Sequence, residues 1–137
     1  MNTPSQAVSS LVGRVLLSGL FLFSGFSKLA APAATKSYIV AAGLPLPDLA
    51  YLGALLVEIG FALALLVGLR TRLVALAMAL FSVATALVFH SQLADQNQLI
   101  HFLKNFAIAG GLLQVAAFGA GAFSLDARLH KRSPALA

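Results

Sequence analysis

Four apolar stretches, each bounded by polar or turn-forming positions, set the layout of the chain. The first, residues 11–30, is interrupted only by Arg14 near one end and Lys28 near the other. It suits the roughly 20 residues that a membrane-crossing helix needs. The second, 49–69, follows Gly43-Leu44-Pro45-Leu46-Pro47-Asp48, where prolines interrupt regular structure and Asp48 is placed to cap a helix start. Its single charge, Glu58, falls near its middle. Gly68 to Arg72 reads as a tight turn, and the third stretch runs over 73–90 to end on His90. The fourth, 99–118, is less clean, carrying His101, Lys104, Asn105 and Gln114 before Gly119 and Gly121 break it. Between the first two, Pro32 is placed to open a short helix that runs through Tyr38 and stops near Gly43, lying along the membrane surface. A cleaved signal peptide is the rival reading of the first stretch, with Arg14 ahead of an apolar core and Ala31-Pro32-Ala33 behind it; three further apolar runs favour an uncleaved span. The pattern predicts an all-α, polytopic transmembrane four-helix bundle. It forms a single domain over 1–137, with a disordered tail after residue 132.

Composition agrees. Apolar residues make up 60% of the chain and charged residues 9%, against about 45–50% and roughly 25% in soluble domains. So few charges could not cover a soluble surface. The net charge of +5 comes from basic residues scattered beside apolar runs, whereas a nucleic-acid partner calls for one concentrated basic face. Nucleic acid is therefore excluded as a partner, and membrane lipid is the expected one. With no cysteine in the chain, thiolate metal sites and dithiol redox chemistry are excluded for this chain alone.

Four spans place both termini on one side. That side collects Arg14, Arg70, Arg72, Arg128, Lys131 and Arg132, and the other has Lys28 and Lys36 near its loops. The positive-inside rule makes the termini cytoplasmic, and the expected location is a bacterial inner membrane.

Ionisable residues inside a membrane are costly, at about 2.5–3.5 kcal/mol each near the bilayer centre, and each is a functional candidate. Glu58 is the sharpest case. It lies about ten residues from either end of its span and is the candidate catalytic group. Lys28 and Lys104 are the cations available to it. His101, Lys104 and Asn105 are spaced three and four apart, which sets them along one helical face. Lys28 shares a face with Ser24 and Gly25, small enough to let another helix come close. The pattern predicts a polar cavity with Glu58 at its floor and Lys28, Glu58, His101, Lys104 and Asn105 as ligand-binding candidates. The plainer alternative is that Lys28 snorkels to the headgroups and Glu58 is an ion pair that only fixes helix packing. His90 and His101, eleven residues apart across a loop, carry no close-spaced ligand pattern, so no metal site is expected. Gly60, Ala64 and Gly68, with Ala107 and Gly111, form small-residue stripes suited to helix packing. Ser18, Ser82 and Thr85 are placed to bond to their own helix backbone.

These positions, in order, also carry a resemblance. Phe23-Ser24-Gly25-Phe26-Ser27-Lys28-Leu29, Gly43-Leu44-Pro45, Glu58, Gly68-Leu69-Arg70-Thr71-Arg72, Ile100-His101-Phe102-Leu103-Lys104-Asn105 and Ser124-Leu125-Asp126 together resemble the DoxX family of small membrane proteins. The likeness covers about residues 11 to 127. It implies a four-helix membrane bundle and a link to redox metabolism. Some DoxX relatives are membrane subunits of a quinone-reducing thiosulfate oxidoreductase, and several bacterial ones carry oxidoreductase names tied to quinone or oxidative stress. More distant relatives look like assembly or trafficking factors, so the fold does not fix function. The expectation is a redox-associated subunit that binds a quinone or a similar small molecule and takes electrons from a redox protein partner or a bound cofactor. A non-enzymatic scaffold or assembly factor and a small-molecule or proton carrier are the alternatives, the carrier calling for a homo-oligomer because four spans are few for a transporter.

Overall fold

The computed structural model describes residues 3–132, and Arg132 only in its backbone, so the tail after residue 132 lies outside the described residues. Four helices are long and apolar enough to cross a membrane: α1 Pro4–Ala30, α3 Pro47–Val67, α4 Thr71–Phe89 and α5 Gln96–Phe118. Two shorter ones complete the described chain, α2 Pro32–Ala41 and α6 Leu125–Arg132. No strand occurs among the described residues.

The starts of α1 and α5 lie ahead of the apolar runs, because polar turns precede them. Thr3 and Gln6 form a reciprocal capping box around Pro4 at the first helical position, which satisfies amide donors that would otherwise be left open. Asp95 accepts from the Gln98 amide and starts α5 three residues before Leu99. Asp48 does not cap α3. Leu46, in the left-handed region at φ 54°, holds the cap position without a side-chain bond, and Asp48 sits in the first turn, 2.7 Å from Lys36. That bond holds Lys36 above the ordinary lysine range. It also ties α2 to α3, with the Lys36 ammonium 5.3 Å from the Tyr51 ring centre.

Burial follows membrane logic. Among the buried side chains are Arg14, Ser18, Glu58, Thr71, Ser82 and Ser124, while Leu16, Phe23, Leu80 and Phe118 stand exposed on the outside. Polar groups inside and large apolar groups outside are what a hydrocarbon solvent selects. α1 packs on α3 and α4 packs on α5. Phe21, Ala62, Leu65, Ala75, Met78 and Leu112 join these pairs in one apolar cluster.

One end of the bundle is fastened by a polar knot. The fully buried Arg14 donates to the Leu65 carbonyl at 3.1 Å, to the Leu66 carbonyl at 2.8 Å and to the Phe123 carbonyl. Leu65 and Leu66 belong to the last turn of α3, where helix carbonyls lack intrahelical partners and a cation is favoured. The Asp126 carboxylate accepts from the Arg70 and Thr71 amides at 2.7 and 2.8 Å, capping α4 from 55 residues away, and the Asp126 amide donates to the Gly68 carbonyl at 2.9 Å. Burial pushes Asp126 up, but those amides and the Arg14 charge outweigh it and hold its carboxyl below the ordinary range. Gly68 has φ 73°, and a Cβ there would lie 2.4 Å from Ser124 Cβ, so the turn between α3 and α4 requires glycine.

Candidate functional site

At the other end of the bundle, α1 and α3 approach closely at Gly25. A Cβ on Gly25 would stand 2.6 Å from Ile59 Cγ1 and 3.2 Å from Glu58 Cβ. The missing side chain therefore lets α1 rest on the segment that carries Glu58. That segment, Leu56–Phe61, is a π-helical turn. Such turns are rare and collect at functional sites.

Glu58 is 5% exposed. The Lys28 ammonium donates to Glu58 Oε1 at 2.9 Å and lies 2.9 Å from Oε2. Lys28 also donates to Ser24 Oγ at 2.9 Å, and Ser24 donates to Glu58 Oε1 at 3.3 Å. The three side chains thus close a small ring of hydrogen bonds between α1 and α3. Tyr51 donates to the Lys28 carbonyl at 3.1 Å, which holds the end of α1 against α3.

Ser24, Lys28 and Glu58 line a cavity of about 1110 Å³, together with His90, His101 and Asn105 from the far side. That volume suits a small organic ligand. His90 and His101 stack with ring centres 5.1 Å apart, and His90 Nδ1 is 2.9 Å from Gln98 Oε1. Tyr38 of α2 stacks on Phe89 at 5.2 Å. Among the described residues, no group of three histidine, cysteine or acidic side chains could hold a metal ion.

Of the residues expected to converge, Lys28, Glu58, His101 and Asn105 border this cavity. Lys104 does not: it is exposed and absent from the lining. The reason is angular. At about 100° per residue, His101 and Asn105 differ by roughly 40°, while Lys104 is turned about 100° away from Asn105. Lys28 does not merely snorkel, because its ammonium reaches back along its own helix to Glu58. Ser82 and Thr85 bond to the Met78 and Phe81 carbonyls as expected, whereas the buried Ser18 hydroxyl has no partner among the described residues. Sequence reasoning also missed the packing role of Arg14 and Asp126. Their only local signals are a basic residue inside an apolar run and an acid just after Ser124-Leu125.

Comparison with known proteins adds identity. The family model described as DoxX matches residues 9–91. The chain is 40% identical over 130 residues to inner membrane protein YqjF of Escherichia coli (strain K12), spanning 93% of this chain and 96% of that one. It is 32% identical over 129 residues to inner membrane protein YphA of the same organism, spanning 90% and 92%. No solved structure matches. With more than half its length matched by the family model and near full-length relatives on either side of it, this multi-pass membrane protein belongs to the DoxX family.

Proposed function

We propose that the protein is a redox-associated subunit of a bacterial inner membrane that holds a quinone or a similar small aromatic molecule in the cavity beside Lys28 and Glu58. The observation that carries the reading is the Ser24–Lys28–Glu58 ring set in the wall of a ligand-sized cavity. Reduction of a quinone to a quinol takes two electrons and two protons. A lysine ammonium stabilises negative charge on a reduced oxygen, and a carboxylate can pass the accompanying proton. The chain has no cysteine and no nucleotide-binding fingerprint, so the electrons come from a redox protein partner or a bound cofactor.

Titrating a soluble short-chain quinone into the purified protein is expected to give saturable binding. Glu58→Gln keeps the shape and one acceptor oxygen for Lys28 and Ser24 but loses the charge and the second acceptor. It is expected to weaken binding about tenfold and to lower the thermal midpoint less than Lys28→Met does, because the ammonium it leaves unpaired is partly exposed whereas the Glu58 carboxylate is buried. Wild-type protein that shows no saturable binding refutes the reading. A second reading, a scaffold for another membrane protein, is favoured by the way Lys28 and Glu58 satisfy one another across α1 and α3; a stoichiometric protein partner without any bound quinone would support it.

The same proposal sets the cavity toward the periplasm and both termini in the cytoplasm, following the basic residues near the Arg14 end. Fusions after Arg132 are expected to be active with cytoplasmic reporters only; activity of a periplasmic reporter there would invert the orientation.

A further inference from the structure

On α1 and α5 the cavity lining is sorted by polarity along the bundle axis. On α1 its lining passes from Lys28 and Ser24 to Phe23 and Leu20, and on the antiparallel α5 from His101 and Asn105 to Ile108. Both helices therefore turn apolar in the same direction, over about 10 Å at 1.5 Å per residue. On these two helices the polar groups lie toward the end of the bundle and the apolar ones deeper, at hydrocarbon level, while α3 and α4 keep Glu58 and Ser82 at depth on the facing wall.

The side wall at that depth is incomplete. α1 and α5 make few contacts. One of them is Leu17, whose Cδ2 would lie 3.9 Å from a Cβ on Gly111. Leu17 and Gly111 are each three residues deeper than Leu20 and Ile108, so this contact lies below the cavity. Phe23 and Leu20 line the cavity and are 75% and 48% exposed, so neither is covered by a neighbouring helix. At the opposite, polar end, two ring stacks line the cavity, Tyr38 on Phe89 and His90 on His101.

We propose that the cavity fills from the bilayer, through the seam between α1 and α5, and takes an amphiphile. Its polar head meets Lys28 and Glu58, and its apolar tail stays in the seam beside Leu20 and Ile108. This inference rests on the cavity being a ligand site, as proposed above, and narrows the ligand to one that dissolves in the membrane. The tail arrives already in hydrocarbon, so the seam need only match its shape, and the Lys28–Glu58 pair supplies the attraction and orientation of the polar head.

The seam can be tested without knowing the ligand. The chain has no tryptophan, so Phe81→Trp puts a single reporter in the cavity wall. In liposomes of phospholipid with brominated acyl chains, its fluorescence is expected to be strongly quenched, while acrylamide in the water phase quenches it little. Adding Ile108→Phe, which narrows the seam, is expected to remove at least half of the bromolipid quenching. Val88→Trp, two turns along the same cavity-facing side of α4, serves if Phe81→Trp does not fold. Absent bromolipid quenching, or quenching unchanged by Ile108→Phe, overturns the proposal.

A second arm separates this inference from the quinone reading. Binding of an isoprenoid-tailed quinone is expected to fall about tenfold in Ile108→Phe, and binding of the tail-less head to change less than about twofold. Equal loss of both overturns entry through the seam. If neither quinone binds the parent protein while the quenching pattern holds, the quinone reading fails and lateral loading by another membrane amphiphile stands.

Discussion

Arg14→Met is expected to lower stability by about 3–5 kcal/mol, the largest effect of any single substitution at the knotted end of the bundle. Methionine keeps much of the stem length but donates nothing, so the Leu65, Leu66 and Phe123 carbonyls lose a charged donor together. Hydrogen bonds to a charged group contribute about 1.5–3 kcal/mol each, less when summed because they share one side chain. Arg14→Lys is expected to fall between the two, since a lysine is a point charge and cannot fork toward α3 and the α5–α6 connection at once. Thermal unfolding in detergent should rank wild type above lysine above methionine, with a drop on the order of 10 °C for methionine. A methionine variant that melts with the parent would mean that Arg14 serves orientation in the membrane and nothing more.

The second large effect concerns Lys28 and Glu58. Lys28→Met alone leaves a carboxylate 5% exposed without its cation, and breaking a buried pair this way costs about 3 kcal/mol or more. The double variant Lys28→Met/Glu58→Leu removes both charges and keeps the volume, so it is expected to recover most of that loss. Its ligand binding is expected to disappear, because the groups that orient a polar head have gone. Measuring thermal midpoint and quinone binding on the two variants therefore separates a fastener from a site. A stable double variant that binds as the parent does would leave the pair with a packing role alone.

The spans were legible because run length is a direct physical requirement of the bilayer, and Leu49 to Leu69 or Leu73 to His90 could hardly be read otherwise. Their starts were less so. Thr3 to Gln6 and Asp95 to Gln98 are polar turns that hydropathy passes over, yet their caps extend α1 and α5 toward the ends. Within the site, Gly25 was legible from its spacing to Lys28, since a residue without a side chain beside a buried cation invites a neighbour. The π-helical turn was not, because the sequence Leu56–Phe61 carries nothing that distinguishes a wide turn from an ordinary one. Lys104 misled for a simple reason: residues three and four apart share a face broadly, but a cavity edge divides that face. Arg14 and Asp126 were hidden because their partners are backbone groups 51 to 109 residues away in sequence.

Those sequence separations also set a timetable for biogenesis. α1 leaves the ribosome first, with its guanidinium already inside an apolar segment, but the carbonyls that receive it at Leu65 and Leu66 are made 51 and 52 residues later, and that of Phe123 after 109. Until then Arg14 must be held by water or headgroups at the membrane edge, which keeps the first span shallow and loosely seated. Asp126 arrives last of all and closes the turn between α3 and α4 through Gly68, Arg70 and Thr71. Insertion can proceed span by span, but the final seating of the first helix waits for the end of the chain. A chain truncated before residue 123 would therefore carry all four hydrophobic segments but only the Leu65 and Leu66 acceptors for Arg14, leaving its first helix without the last of its three fastenings.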